Sequence, residues 1–210
     1  MSAAVAAWLL AAGGAALATF LAEFGDKSQL LAAGLSARLG RRVVLLGVAL
    51  GIVAVQLLAV AVGSIAGALL PARPIGIVSG VLFVLVGLWL WRETTGGHDD
   101  EGPEDGAAPG GLSGRLATAT GRSAVLAVAT TFAVGEMGDK TQIATVAIAT
   151  QQDPVATFVG ASLGVFAANA IAVEVGARLA AVLPERVVLR GSAVLFVVVG
   201  VVVAVLAARG

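Results

Sequence analysis

The chain has no cysteine among its 210 residues and a single histidine, His98. Thiolate metal sites, disulfides, iron–sulfur clusters and cysteine nucleophiles are therefore excluded, and histidine-based catalysis or zinc binding is disfavoured. Charge is also scarce, because 12% of the residues are charged whereas 59% are hydrophobic and the mean hydropathy is +1.00. The 13 basic and 13 acidic residues balance, so no surface charge predicts nucleic-acid binding. This composition predicts a protein dissolved in a lipid bilayer and excludes a soluble enzyme.

A helix needs about 20 mainly apolar residues to cross a bilayer. The sequence supplies six such stretches, which predict an all-α fold of six transmembrane helices: 3–36, 43–70, 75–91, 124–150, 155–183 and 187–208. The first and fourth stretches are too long for one straight crossing and carry charges in the middle. We expect each of these two helices to be tilted, broken or preceded by an interfacial piece.

The segment between the third and fourth stretches, residues 93–122, contains the run GGHDDEGPEDGAAPGG. This run is too polar and too rich in Gly and Pro to bury a core, so we predict a flexible acidic linker. Loose cation binding by its acids is the less favoured alternative. The arginines of the short loops predict that the linker is cytoplasmic and both termini are outside. Two of these arginines are predicted on the outer side of the membrane, Arg73 and Arg209. Eight are predicted on the cytoplasmic side: Arg38, Arg41, Arg42, Arg92, Arg115, Arg122, Arg186 and Arg190.

The chain contains an internal duplication. A shift of 113 positions aligns EFGDKSQ at 23–29 with EMGDKTQ at 136–142, and 24 of the 65 positions from 23 to 87 are identical without a gap. Each unit holds three predicted helices, so the second unit enters the membrane inverted with respect to the first. We therefore predict two inverted three-helix repeats, 1–92 and 123–210. This architecture is typical of secondary transporters, with a site near the midplane, and is favoured over a bundle that merely anchors something.

Each copy of the motif puts two carboxylates and a lysine inside a membrane helix, where isolated charge is costly. On a continuous helix Glu23, Asp26 and Lys27 share one face, so the alternative is a self-neutralising cluster that joins helices. One lysine cannot neutralise two carboxylates, however. Four carboxylates and two ammonium groups leave a formal charge of minus two, which one divalent cation or two protons would cancel. This balance predicts a divalent cation/proton antiporter.

The predicted metal ligands are the motif acids Glu23, Asp26, Glu136 and Asp139. Oxygen ligands without Cys or His suit calcium, manganese or magnesium and disfavour zinc or copper. Gly25 and Gly138 are expected to allow a close approach to the backbone or to mark a helix break. Predicted supporting residues lie in the motifs or at equivalent positions of the second and fifth helices: Lys27, Ser28, Gln29, Lys140, Thr141, Gln142, Gln56 and Asn169.

Three of the polar helix residues have two possible roles each. Gln56 and Asn169 fit equally well as ligands, direct or indirect, and as helix–helix hydrogen bonds. Glu174 has no acidic counterpart in the first unit, because Ala61 occupies that position. An ion pair with Arg178, four residues later, is favoured over a proton path for Glu174.

The doubled E-x-G-D-K-[ST] motif in a duplicated six-helix chain resembles a family of cation/proton exchangers. That family includes bacterial manganese exporters and the eukaryotic Golgi manganese/calcium transporter, and the resemblance covers nearly the whole chain. It implies exchange of Mn²⁺ or Ca²⁺ for protons, with the four motif acids as the ion site and the metal as cargo rather than prosthetic group. The short linker fits a compact bacterial member in the inner membrane.

Alternative functions come from other classes. An exporter of a small organic solute such as an amino acid could use Lys27 and Lys140 to hold a carboxylate, but four acids favour a cation. An intramembrane hydrolase is disfavoured because Ser28 and Lys27 are adjacent and point to different helix faces. A cation channel would need several successive sites, since four carboxylates hold a divalent ion too tightly for fast conduction. The choice between Mn²⁺ and Ca²⁺ and the oligomeric state are left open.

Overall fold

A computed structural model describes residues 2–24, 26–95, 121–180 and 185–209. All regular elements in these ranges are α-helices, and the predicted linker falls outside them except for its first and last few residues. The helices are α1 Ala3–Glu23, α2 Lys27–Leu39, α3 Arg41–Leu69, α4 Ala72–Thr95, α5 Arg122–Gly135, α6 Lys140–Ala149, α7 Pro154–Ala180 and α8 Glu185–Arg209.

The first and fourth predicted helices are both broken, which is one of the three alternatives expected from the sequence. Residues 3–36 form α1 and α2, with α2 continuing to Leu39, and residues 124–150 form α5 and α6. Within the described ranges five helices are long and apolar enough to cross a membrane by themselves, namely α1, α3, α4, α7 and α8, while α5 is apolar but shorter. A long apolar stretch alone therefore did not predict where each helix ends.

Local sequence signals explain several of the helix ends. Ser2 caps α1, since its Oγ accepts the Val5 N–H at 3.4 Å. Gly40 joins α2 to α3 with φ of +83°, a backbone conformation that glycine adopts without strain. Pro154 opens α7, and the Asp153 carboxylate accepts the N–H of Ala156 at 2.8 Å.

The broken helices pack in parallel with long helices of the other repeat. Helix α1 lies along α7, where the backbone of Ala12 meets Gly160 and that of Ala16 meets Gly164. Helix α5 lies along α3, where Val128 meets Gly47. Gly47 and Gly160 are equivalent in the duplication, so the two contacts use the same position of each repeat.

Helices α3 and α7 run in opposite directions. Arg41 at the start of α3 contacts Glu174 near the end of α7, and Gly67 near the end of α3 meets Thr150, four residues before α7 begins. Since α1 is parallel to α7 and α5 is parallel to α3, it follows that α1 and α5 are antiparallel. Helices α4 and α8 pack against each other, also antiparallel, as the Gly80 and Gly200 backbones meet while Gly76 meets Ala207.

Large aliphatic side chains cover the outer surface and small residues fill the interior. Leu10 and Leu69 are each 77% exposed, as expected for side chains that face lipid rather than water. One interior cluster surrounds Phe83 and Phe196, which stack at 5.5 Å between ring centroids, with Ala22 and Ala144 beside them. The interior also buries polar side chains: Thr19, Glu23, Gln56, Ser79, Thr131, Glu136, Lys140, Thr141, Thr145, Thr157, Asn169 and Ser192.

Candidate functional site

The two helix breaks lie at the two motifs. Helix α1 ends at Glu23 and α2 begins at Lys27, while α5 ends at Gly135 and α6 begins at Lys140. The preceding Asp26 and Asp139 both have extended backbones, with ψ of 157° and 169°. The acids of one motif therefore do not share a helix face, and the continuous-helix geometry expected from their spacing is wrong.

Gly138 enables the second break. Its φ is +85°, a conformation in which any other residue would be strained. A Cβ added there would meet nothing within 4 Å, so the expected close approach of another helix to this glycine is not found. Gln142 accepts the Gly138 N–H through its Oε1 at 2.6 Å and thereby holds the turn. Gly25, the equivalent residue of the first motif, lies outside the described residues.

Three of the four predicted ligands come together across the two repeats. One carboxylate oxygen from each of Glu23, Glu136 and Asp139 lies within 4.8 Å of the other two. The Glu23 side chain is fully buried and Glu136 is 5% exposed. Acids that are 113 and 116 positions apart in sequence thus form one cluster, which we call the acid cluster.

Asp26, the fourth predicted ligand, is held by a lysine of the other repeat. Its Oδ1 accepts a hydrogen bond from Lys140 Nζ at 2.8 Å, and the Lys140 side chain is only 1% exposed. The sequence left open that each lysine neutralises acids of its own motif. This ion pair instead joins the two motifs. The side chain of Lys27 lies outside the described residues.

Glu23 is oriented by donors from both repeats. Its Oε1 accepts hydrogen bonds from Ser28 Oγ at 2.6 Å and from Asn169 Nδ2 at 2.9 Å. Asn169 also donates to the Val165 carbonyl at 3.1 Å, and Gln29 Nε2 donates to the Glu23 carbonyl at 3.2 Å. Asn169 therefore does more than join two helices, since it contacts a member of the acid cluster directly.

The two remaining supporting residues, Thr141 and Gln56, are also buried. Thr141 is 3% exposed in the first turn of α6, and its carbonyl accepts a hydrogen bond from Thr145. Gln56 is 3% exposed in α3, at the position equivalent to Asn169.

Several buried oxygens accept no hydrogen bond from the described part of the chain. Three belong to the acid cluster, and two belong to the equivalent amides of α3 and α7: Glu23 Oε2, Glu136 Oε2, Asp139 Oδ2, Gln56 Oε1 and Asn169 Oδ1. A buried acceptor without a partner costs about 1–3 kcal/mol, and more when it is charged. Such a group of oxygens is therefore suited to bind a cation or protons. Carboxylate and amide oxygens are the ligand atoms that hard divalent ions prefer.

Glu174 lies apart from the acid cluster. It forms an ion pair with Arg41 of α3 at 2.5 Å, and the side chains are 41% and 61% exposed. The predicted partner was Arg178, whose side chain lies outside the described residues. Glu174 therefore joins the start of α3 to α7 at the edge of the bundle.

Sequence reasoning did not single out Thr19, which lies one turn before Glu23 in α1. Its Oγ1 donates to the Ala15 carbonyl at 2.9 Å and approaches the Ala161 carbonyl of α7 at 3.2 Å. The available signal was a polar residue four positions before an intramembrane acid. The duplication gave no support, because Phe132 occupies the equivalent position.

Broken membrane helices that meet at a buried acid cluster are typical of ion-coupled secondary transporters. The family model described as "Divalent cation/proton antiporter GDT1" matches residues 5–98 and 124–210. The chain therefore belongs to the GDT1 family of divalent cation/proton antiporters. This match confirms the family resemblance, identifies the chain as a transporter rather than an enzyme, and identifies it as a multi-pass integral membrane protein.

Similar proteins occur in bacteria, fungi and plants. A GDT1-like protein of Synechocystis sp. is 34% identical over 188 residues, which cover 87% of this chain and 90% of that protein. A GDT1-like protein of Schizosaccharomyces pombe is 28% identical, with 87% of this chain and 78% of the relative covered. GDT1-like protein 5 of Arabidopsis thaliana is 27% identical, with 87% and 90% covered. No solved structure matches the chain.

Proposed function

We propose that this transporter exchanges Mn²⁺ or Ca²⁺ for protons and exports the metal from the cytoplasm. The observation that carries the proposal is the acid cluster, in which carboxylate oxygens of two buried glutamates and the partly buried Asp139, drawn from both repeats, lie within 4.8 Å of one another. A cluster of carboxylates is stable inside a bilayer only when bound cations or protons cancel its charge, because each isolated carboxylate there costs about 2.5–3.5 kcal/mol even on lenient scales.

The size of the cluster supports a single divalent ion. Calcium binds oxygens at about 2.3–2.6 Å, so two ligands on opposite sides of one ion are separated by about 4.6–5.2 Å. The carboxylate oxygens of the acid cluster lie no more than 4.8 Å apart, which is close enough for one ion to bind all three. Asn169 Oδ1 and Gln56 Oε1 are buried acceptors without described donors, which supports amide oxygens as additional neutral ligands.

The charge balance supports protons as the counter-ion. The two motifs together contain four carboxylates and two lysines, so their formal charge is minus two. A site with that charge is costly to move through the membrane, whereas one divalent ion or two protons makes it neutral. The Asp26 carboxylate already binds Lys140, which argues against a site where this lysine holds the carboxylate of an organic solute.

The proposed topology is six crossings in two inverted three-helix repeats, 1–92 and 123–210, joined by a cytoplasmic linker. The antiparallel directions of α1 and α5 support the inversion, as do the equivalent contacts of Gly47 and Gly160. Arg73 Nη2 donates to the Ala208 carbonyl at 2.6 Å, so the arginine-poor loop and the C-terminus share one end of the bundle. We assign that end to the outside of a bacterial inner membrane.

Purified protein in liposomes tests the proposal. Metal uptake is measured with a fluorescent indicator for each ion, while a second dye records internal pH. We expect saturable Mn²⁺ or Ca²⁺ flux that depends on an imposed pH gradient at fixed voltage, with proton movement in the opposite direction. Each of Glu23→Gln, Glu136→Gln and Asp139→Asn should abolish that flux. Asp153→Asn is the matched control, because Asp153 is exposed and asparagine also caps a helix.

Two results would contradict the exchange mechanism. Metal flux that is indifferent to the pH gradient would indicate a channel or uniporter. Wild-type flux in an acid-cluster variant would remove that residue from the site.

A further inference from the structure

The two aspartates of the duplicated motif are equivalent in sequence but have different partners. Asp139 belongs to the acid cluster, and its Oδ2 accepts no hydrogen bond from the described residues. Asp26 binds Lys140 at 2.8 Å instead. Both glutamates, by contrast, belong to the cluster. The structure thus divides the four motif acids into two shared glutamates and two aspartates with different roles.

We propose that Asp26 and Asp139 alternate as the third carboxylate of the cation site, and that Lys140 and Lys27 alternately hold the aspartate that is not in use. In the described conformation the site is Glu23, Glu136 and Asp139, and Lys140 holds Asp26. In the opposite conformation the site would be Glu23, Glu136 and Asp26, with Lys27 holding Asp139. The inference rests on the proposed function and adds to it how the site changes sides.

Inverted repeats give this exchange a physical basis. Alternating access in such a transporter moves one repeat against the other around the site. In our proposal the two access states are related by an exchange of conformation between the two repeats. Each contact between the repeats is then replaced by a contact between the equivalent residues of the duplication. The cross-repeat contact of Lys140 with Asp26 accordingly becomes a contact of Lys27 with Asp139.

The exchange also keeps the electrostatics of the site constant. In both states three carboxylates face the ion and a fourth is neutralised by a buried ammonium group. Lys140 thus acts as a positioning residue, because it determines which aspartate faces the ion without touching the ion itself.

If the aspartates alternate, glutamate variants and aspartate variants should differ in their affinity for the metal. A glutamate serves both states, so its loss removes a ligand from every form of the site. An aspartate serves one state, so a variant retains a complete site in the other state and loses only the ability to alternate. A single symmetrical site with four permanent carboxylate ligands predicts no such difference.

Calorimetric titration of detergent-purified protein with Mn²⁺ measures binding, and metal counterflow in liposomes measures alternation. For Glu23→Gln and Glu136→Gln we expect binding weakened at least about 100-fold, because a direct ligand should matter more than an outer partner of a ligand, whose loss typically costs about 10–100-fold. For Asp26→Asn and Asp139→Asn we expect binding weakened by less than about 10-fold, because only the fraction of molecules in the competent state is reduced. Counterflow should be lost in all four variants.

A paired variant excludes simple misfolding as the cause. Asp26→Asn alone leaves the Lys140 ammonium group without its carboxylate, whereas Asp26→Asn/Lys140→Met removes both charges. The double variant should bind Mn²⁺ like Asp26→Asn and still lack counterflow, while the control Asp153→Asn retains both.

Aspartate variants that lose binding as completely as the glutamate variants would overturn the alternation in favour of four permanent ligands. Counterflow that persists in Asp26→Asn would overturn it as well. Wild-type protein that binds no divalent cation would instead overturn the proposed function itself.

Discussion

Replacing Gly160 by alanine tests whether the close contact between α1 and α7 positions the acid cluster. A Cβ at Gly160 would overlap the Ala12 carbonyl oxygen and would lie 2.9 Å from the Ala12 Cα, whereas ordinary contacts begin at 3.4 Å. The opposing atoms are helix backbone and cannot rotate away. The two helices must therefore separate, and α1 carries Glu23 while α7 carries Asn169.

The size of the effect follows from two opposing contributions. Overpacking of this kind typically costs about 1–3 kcal/mol. Replacing a helical glycine by alanine returns about 0.5–1 kcal/mol through the helix propensity of alanine. Because the opposing atoms are helix backbone, the upper end of the overpacking range applies and the net destabilisation is about 2–2.5 kcal/mol, which corresponds to a decrease in melting temperature of about 4–10 °C for a chain of this size. The hydrogen bond from Asn169 Nδ2 to Glu23 Oε1, 2.9 Å long, should lengthen in the same step.

Thermal unfolding of the purified protein, with and without Mn²⁺, measures both consequences. Two other glycines provide graded controls. At Gly47, the equivalent position, the nearest atoms are Val128 Cβ and Cγ1 at 2.6 Å and the Val125 carbonyl oxygen at 2.9 Å, which is a smaller overlap than at Gly160, so Gly47→Ala should cost less. Gly13 has open space around its Cβ position, so Gly13→Ala should leave the melting temperature unchanged or raise it. Equal effects at all three positions, or a Gly160→Ala protein as stable as wild type, would refute the packing argument.

Two further predictions concern residues outside the acid cluster. Glu174→Gln should change stability by less than about 1 kcal/mol and leave metal flux unchanged, because the pair with Arg41 is largely exposed; a loss of proton coupling in liposomes would instead indicate a proton path. Thr19→Val should lower the free energy of unfolding by about 0.5–1.5 kcal/mol, because it removes a buried hydroxyl that lies within hydrogen-bond distance of the Ala161 carbonyl of α7 as well as of the Ala15 carbonyl of its own helix. Thr130→Val is the control for the second variant, since Thr130 is exposed and donates only within its own helix; equal losses in the two variants would contradict the contribution of the contact between helices.

Much of the fold could be predicted because the bilayer imposes simple rules on the sequence. Long apolar stretches indicated the helices, and their ends shifted by only a few residues where Pro154 and Gly40 supply local signals. The charges inside the first and fourth stretches indicated that those helices are irregular. The spacing within a motif could not give the positions of its side chains, however, because it was converted to a face of a continuous helix. The extended backbones of Asp26 and Asp139 remove that periodicity.

The sequence by itself indicated the chemistry of the protein: a membrane-embedded chain without cysteine, and two copies of an acidic motif whose summed formal charge of minus two one divalent cation or two protons would cancel. Only the tertiary structure decided that Glu23, Glu136 and Asp139 meet while Asp26 binds Lys140. The duplication makes the two aspartates equivalent along the chain. A folded protein occupies one conformation at a time, so equivalent residues take different partners, and those partners lie more than 100 positions away, beyond the reach of any local pattern.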